Sequence, residues 1–144
     1  MATVFDVAKY ILECTGPIGV WKLHKLCYYS QAWTLAWDER PLFDDDFEAW
    51  SNGPVCRDLY CQHQGVYTLS PSDLQIGKSD ALDKEQKGNI DIILRDYGDY
   101  LPYELREQTR SELPWLQARA GLPDDATSGA IISRESMGEY YGSL

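Results

Sequence analysis

The sequence predicts a mainly α-helical fold: a single compact domain over residues 1–144, built around a central buried helix at about residues 20–37, with a small β-hairpin near residues 42–50. Three observations lead to this prediction. Apolar residues recur at three- and four-residue steps in several segments, which is the period of an amphipathic helix. In segment 20–37 they extend to nearly every face, as in a helix inside a core. The chain of 144 residues can bury roughly two thirds of its unfolded surface, which suffices for one core.

The first predicted helix begins after Thr3. Thr3 and Asp6 have the spacing of a capping box, in which each side chain accepts a hydrogen bond from the backbone N–H of the other residue. We expect the helix to end at Gly16–Pro17, because proline cannot continue the hydrogen-bond ladder. Its apolar stripe comprises Val4, Val7, Ala8, Ile11 and Leu12.

The second predicted helix, from about Val20 to Trp37, is the centre of the fold. Seven residues recur along it at three- and four-residue steps: Leu23, Leu26, Cys27, Tyr29, Ser30, Trp33 and Trp37. Tyr28, Ala32 and Leu35 widen this stripe until the second half of the helix is apolar on nearly every face. A helix with this pattern is typically buried.

A small hairpin is predicted next, from two short extended segments around Leu42–Phe43 and Phe47–Trp50. The following residues, Ser51 to Pro54, form a strong turn signal, since glycine permits a positive φ and proline fixes its own φ. Pro54 is also suited to the first position of a helix that would carry Val55, Leu59 and Tyr60.

The second half of the chain predicts a mobile loop and then four helices. Residues 64–80 are polar and rich in Ser, Gly and Pro, which is typical of a loop. The helices are predicted at about Asp83 to Tyr97 with Gly98 as its stop, at Tyr103 to Thr109, at Pro114 to Ala120, and after Ser133.

The charge balance indicates which partners the protein can have. The chain has 23 acidic and 13 basic side chains, for a net charge of -10. This charge opposes binding to nucleic acid and favours a basic protein partner. No apolar run approaches the roughly 20 residues of a membrane span, and no signal peptide pattern is present. We therefore expect a cytoplasmic protein without a membrane partner, whose four cysteines are reduced.

The cysteines and histidines are the residues that could serve metal binding or nucleophilic catalysis. His24 and Cys27 lie one helical turn apart, and Cys56, Cys61 and His63 cluster downstream. These are zinc ligands, and the second group also contains a thiol nucleophile with a potential base. However, no CxxC pair occurs, and a free cysteine is often simply a small buried hydrophobe. A zinc- or thiol-dependent enzyme using Cys56, Cys61 and His63 stays an alternative, and we assign no catalytic, cofactor-binding or metal-binding residue.

Partner contact is predicted instead at an acidic run. Asp44, Asp45, Asp46 and Glu48 lack the alternating spacing and central glycine of a calcium loop. Such a run is usually solvated, and its specific role would be to receive a basic partner. We therefore expect the three aspartates and the nearby Arg57 to contact the partner.

Two further groups of residues have less specific predictions. Trp21, Lys22, His24 and Lys25 form a small basic and aromatic face, which we interpret as a solvated helix surface because the net charge disfavours nucleic-acid contact. The large residues Tyr29, Trp33, Trp50 and Pro54 are assigned to the core and its turns rather than to an interface, because large aromatic side chains dominate small cores.

Five segments of the chain follow one another in a distinctive order and spacing: WKLHKLCYYSQAW, RPLF, FEAW, NGPV and LY. In that order and spacing they resemble the Panacea domain, the domain of SocA-like antitoxins that prophages and other mobile elements often carry. Leu105, the segment from Thr109 to Trp115, and Ala118–Arg119 are similar to the later signature of that family, and the segment from Ile132 to Tyr141 resembles its terminal helix. Arg110 departs from the family pattern, which commonly has His there, and His24 stands where Gln is common.

This resemblance implies a function in toxin neutralisation. It implies a mainly helical antitoxin that binds a protein toxin directly, without a cofactor or catalytic residues. In one branch of the family it also implies an adaptor that delivers the toxin to an AAA+ protease of the Clp type. A phage-encoded inhibitor of a host defence protein, built on the same scaffold, is the second alternative. The toxin, the stoichiometry and the choice between blocking and delivery are left open by the sequence.

Overall fold

The first helix begins and ends where its capping residues predict. In the computed structural model, which describes residues 1–144, helix α1 spans Val4–Thr15. The hydroxyl of Thr3 accepts from the backbone N–H of Asp6 at 3.4 Å, and the Asp6 carboxylate accepts from the N–H of Thr3 at 2.8 Å. Gly16 ends the helix with φ +73°, in the region that glycine favours. The predicted capping box is confirmed.

Helix α2, Val20–Asp38, is the central element of the fold, as predicted. It packs against α1 and against three later helices, α4 (Lys84–Tyr97), α5 (Pro102–Ser111) and α7 (Arg134–Gly142). Residues 23–32 are buried on every face, including the polar His24, Lys25, Ser30 and Gln31. Its surroundings are helices on several sides, so polar side chains in it need partners inside the protein.

A three-stranded antiparallel sheet lies beside α2. Strand β2, Phe47–Trp50, pairs with β3, Gly53–Val55, through a turn at Ser51–Asn52, and on its other edge with β5, Ile131–Ile132. A second, two-residue pairing joins β1, Ile18–Gly19, to β4, Thr68–Leu69. The sheet therefore connects the middle of the chain to its carboxyl-terminal part.

The hairpin is confirmed near the predicted place, but the partner assigned to Phe47–Trp50 was wrong. Leu42–Phe43 is not a strand, because the buried side chain of Gln31 takes its backbone groups. The Gln31 carbonyl oxygen accepts from the N–H of Leu42, and the Gln31 amide donates to the carbonyl of Phe43, both at 2.8 Å. With these groups satisfied, the segment has no need of a strand partner.

The helix predicted from Pro54 was also wrong in its start. Pro54 lies in β3 opposite Ala49, and the short helix α3 spans only Arg57–Tyr60. Proline is tolerated here because β3 is an edge strand, in which alternate backbone N–H groups point away from the neighbouring strand. The helix therefore begins three residues later than predicted, at Arg57.

Segment 64–80, predicted as a loop, is anchored to α1. Leu69 and Leu74 are buried in the core. The Lys9 ammonium donates to the carbonyls of Pro71 and Leu74 at 2.6 and 2.9 Å. Two short 3₁₀ turns, Pro71–Asp73 and Ser79–Ala81, complete the segment. Although its composition is polar, the segment packs against the rest of the protein.

The second half of the chain contains the four predicted helices, α4, α5, α6 (Leu113–Arg119) and α7. Asp83 and Gln86 form a reciprocal capping box at α4, which ends at Gly98, and Ser133 caps α7. None of the helices has the length and apolar character needed to cross a bilayer.

One hydrophobic cluster of 29 buried residues, from Ala2 to Tyr141, forms the core. At one end of it, the buried carboxylate of Glu112 accepts from the hydroxyls of Tyr29 and Tyr141, both at 2.8 Å. Burial raises the pKa of Glu112. These bonds tie α2, α7 and the α5–α6 junction together through a polar group inside the core.

Candidate protein-interaction surface

The predicted acidic residues do converge on one surface recess. Asp44, Asp45 and Asp46 are joined there by Asp58 of α3, and the remaining wall is formed by residues 1–3. The recess has a volume of about 420 Å³. We refer to it as the acidic recess. Sequence reasoning missed Asp58, because only the fold brings α3 against the loop that precedes β2.

Hydrogen bonds hold the walls of the acidic recess in place. The Asp45 carboxylate accepts from the N–H of Val4 at 3.1 Å, at the positive end of α1. Arg134 of α7 donates to the backbone carbonyl of Asp44 at 2.8 Å and lies 3.3 Å from its carboxylate. The loop is thus fixed from two sides, while the carboxylates stay at the surface.

Two of these carboxylates are close enough to affect each other. Hydrogen bonding to Asp45 raises the pKa of Asp58, with burial and the nearby negative charges adding to the effect. Two adjacent carboxylates repel when both are ionised, and a cation placed between them removes that repulsion. A positive charge in the acidic recess would therefore be stabilised by both carboxylates.

Arg57, the fourth predicted contact residue, lies in a separate recess of about 410 Å³. Its guanidinium makes two bonds of 2.9 Å with the Glu48 carboxylate and lies 5.3 Å from the centre of the Trp50 ring. Hydrogen bonding to Arg57 lowers the pKa of Glu48. The walls of this aromatic recess are Trp50, Ser51, Arg57, Tyr60, Thr127 and Ser128.

Behind the aromatic recess, two buried histidines form a direct pair. The Nε2 atoms of His24 and His63 are 2.7 Å apart, and His24 Nδ1 accepts from the backbone N–H of Cys56 at 3.2 Å. Since His24 Nδ1 is an acceptor, its proton is on Nε2, and His63 accepts it through a bare Nε2. Both imidazoles must then be neutral, and burial lowers the pKa of each, that of His24 well below its ordinary value.

This geometry gives no support to the thiol or zinc alternative. Burial raises the pKa of Cys56 to about 12, which leaves a poor nucleophile at neutral pH. Cys61 is exposed, and no hydrogen bond joins either thiol to His63, whose ring is bonded to His24. No group of three or more His, Cys, Asp or Glu side chains is arranged to hold a metal ion.

Lys25 and His24 do not lie on a solvated face, so that interpretation was wrong for both. Lys25 is 1% exposed, and its ammonium has no hydrogen-bond partner. The sequence does contain a signal for this: the two residues lie on a helix whose neighbours Leu23, Leu26 and Cys27 are all apolar. Tyr29 and Pro54 are buried as predicted, whereas Trp33 and Trp50 are partly exposed.

The comparisons with known proteins identify a family. The family model described as "Antitoxin SocA-like, Panacea domain" matches residues 23–116, which is well over half of the chain and extends from α2 into α6. No curated protein and no solved structure matches. The matched range contains most of the central helix, the buried lysine and histidines, and both recesses except for residues 1–3 and 127–128. The chain therefore belongs to the SocA-like antitoxin family and carries its Panacea domain.

Proposed function

We propose that this protein neutralises a protein toxin by binding it directly, with the acidic recess as the contact for a basic segment of the toxin. Family membership supports the general role in a toxin–antitoxin system. The observation that carries the specific proposal is the convergence of Asp44, Asp45, Asp46 and Asp58 on one recess. Complex formation, not catalysis, is the proposed mode of action.

Electrostatics support a basic partner over an acidic one. The net charge of -10 steers a cationic protein towards this chain and speeds its association. The contact between Asp45 and Asp58 adds a local reason, because a cationic side chain from the toxin would neutralise two carboxylates that now repel each other. This relief of repulsion stabilises only the complex, because the free protein lacks the cationic side chain.

Arg57 is proposed as a second contact beside the acidic recess. Its side chain is 57% exposed even though it is bonded to Glu48 and lies over Trp50. An arginine held over an aromatic ring is pre-organised, so its immobilisation costs little when a partner binds. The partly exposed Trp50 and Tyr60 would add apolar contact area at the same place.

Residues 1–144 are proposed to act as one domain, which the single 29-residue core supports, and the proposed location is the cytoplasm. We further propose that the bound toxin is delivered to a Clp-type protease, in keeping with the resemblance to SocA-like adaptors. Delivery and simple blocking predict different outcomes. In a host that lacks the protease, a delivered toxin regains its toxicity, whereas a blocked toxin stays inactive.

The test is co-expression with the product of the adjacent gene, read by growth and by affinity capture of the complex. We expect the neighbour to be toxic alone and silent when bound. A triple variant, with Asp44, Asp45 and Asp46 each changed to Asn, should lose at least tenfold in affinity. The matched control removes three exposed acids elsewhere, through Glu13→Gln, Glu85→Gln and Asp99→Asn.

Equal weakening by the two triple variants would mean that only net charge matters, and it would remove the assignment to the acidic recess. A neighbour that is not toxic, or that forms no complex with the wild-type protein, would contradict the antitoxin function for this chain.

A further inference from the structure

The ammonium of Lys25 is a buried charge that this chain leaves without a partner. Its Nζ atom is inaccessible and makes no hydrogen bond. The centre of the Trp21 ring lies 5.6 Å from it. An ammonium has three donors, and an aromatic face satisfies them only in part.

The surroundings of Lys25 are basic where a buried lysine would need acid. Burial, and then the charge of Arg106 on α5, lower the pKa of Lys25 to about 7. The Nε atoms of Arg106 and Arg110 are also buried without a hydrogen-bond partner. The outer nitrogens of both guanidiniums pair with Glu107, and those of Arg110 also with Asp124, so these two charges are compensated. No carboxylate of the chain pairs with Lys25.

The hairpin turn lies directly on this lysine. Gly53, with φ +99°, approaches it so closely that a Cβ placed on Gly53 would be 2.8 Å from Cε and 3.3 Å from Nζ. Thr109 completes the contact, since its hydroxyl would lie 3.0 Å from the same Cβ. Trp50 and Ser51, at the other end of the turn, line the aromatic recess. The cover of Lys25 and the wall of a surface recess are therefore parts of one short hairpin.

In the free protein the charge of Lys25 works against folding. A buried cation without a counter-charge loses its hydration and gains little in return. A methionine would fill similar space without that cost. A residue that costs stability in the isolated chain and gains a partner only in a complex is a frequent property of binding sites.

We propose that Lys25 is the docking site for one carboxylate side chain of the protein partner, reached when the hairpin turn at residues 51–53 moves aside. A single ammonium matches a single carboxylate, and the acidic surface opposes a polyanion such as nucleic acid. The identity of the partner rests on the proposed function. The binding of a carboxylate to the buried ammonium is independent of the proposed function.

The decisive experiment follows the Nζ resonance of Lys25 by ¹⁵N NMR in the wild-type protein as the pH is varied. The probe is the peptide acetyl-Gly-Gly-Glu-Gly-Gly-amide, which carries one carboxylate. Its neutral control is acetyl-Gly-Gly-Gln-Gly-Gly-amide, and inorganic phosphate and sodium chloride at equal ionic strength are the other arms. We expect the Glu peptide to raise the titration midpoint of Lys25 by about one pH unit, which is a tenfold coupling. The Gln peptide and chloride should leave it unchanged.

Two results of the titration would overturn the proposal. If the Glu peptide leaves the midpoint where it is, Lys25 does not receive a carboxylate. If phosphate produces the larger shift, the site is an inorganic anion site, and the assignment to a partner side chain is wrong.

A variant pair tests the same site in the complex. Lys25→Met should weaken binding of the adjacent gene's product about tenfold without lowering the melting temperature, because the side chain volume is kept. Lys84→Met removes the same charge from an exposed position and should bind as the wild type does. Unchanged binding by Lys25→Met would overturn the proposal. If the wild-type protein does not bind the neighbour, the proposed function fails, and the peptide titration still decides the chemistry of Lys25.

Discussion

Replacing Gln31 by leucine should unfold the chain at a markedly lower temperature. Gln31 is 1% exposed, and its amide makes two 2.8 Å bonds to the backbone of Leu42 and Phe43. Leucine has similar length and no polar atoms, so the substitution removes both bonds while it largely keeps the packing. The N–H of Leu42 and the carbonyl of Phe43 are then left buried without partners.

The magnitude follows from those two groups. An unsatisfied buried backbone group costs about 1–3 kcal/mol, and the added apolar surface of leucine returns about 1 kcal/mol, so the net loss is about 1–5 kcal/mol. For a chain of 144 residues, 1 kcal/mol corresponds to about 3 °C in Tm. We therefore expect Tm to fall by about 3–15 °C, with a central value near 10 °C.

Thermal and urea unfolding followed by circular dichroism measure this change. Gln64→Leu, at an exposed position, is the matched control and should stay within about 0.5 kcal/mol of the wild type. If Gln31→Leu unfolds at the wild-type temperature, the polar groups of 42–43 are satisfied in another way, and our explanation for the missing strand is wrong.

Three further predictions follow from the fold and the buried groups. Gly53→Ala should destabilise the protein by about 2 kcal/mol more than Gly65→Ala, since both have a positive φ but only Gly53 is in close contact with other side chains; equal denaturation midpoints would remove the steric reason. Because burial lowers the pKa of both paired histidines, the unfolded chain binds more protons below pH 6.5. Stability should therefore fall by up to about 1.4 kcal/mol per histidine for each pH unit below that value, and a flat urea-midpoint profile between pH 7 and 5 would contradict the neutral pair. Cys14 and Cys61 should react with Ellman's reagent in the native protein and the two buried thiols only after denaturation, so fast reaction of all four would show that the core opens readily.

Caps and apolar periodicity made most helices predictable. Thr3, Asp83 and Ser133 each precede a helix and cap it as their side chains predict. These signals are local, because a cap and its N–H group are three residues apart. The burial of α2 was predictable for a similar reason, since its apolar residues lie on nearly every face within the sequence segment itself.

Long-range hydrogen bonds made the remaining elements unpredictable. Nothing in Leu42–Phe43 reveals that a glutamine 11 or 12 residues earlier takes its backbone groups. Pro54 is a local signal for a helix start, and the pairing of β2 with β3 overrides it. Tertiary context decides between alternatives that local propensity leaves equal.

The candidate site was predictable in part for the same reason. The three consecutive aspartates form one side of the acidic recess, but Asp58 joins them only through the position of α3. The pairing of His24 with His63 joins residues 39 positions apart, and the isolation of Lys25 depends on which groups fail to reach it. No local sequence pattern indicates that a buried side chain will lack a hydrogen-bond partner.

The position of α7 against α2 has a kinetic consequence. Tyr28 and Tyr141 are in hydrogen-bond contact although 113 residues separate them, and α7 itself buries only Met137 and Tyr141. The entropy cost of closing so long a loop comes before the contact can stabilise the chain. This order slows the folding of chains with such topology. A short helix with two anchors and two glycines cannot form stably before it docks. We therefore expect α7 to join a largely formed helical core late in folding, and its amides to exchange with solvent before those of α2.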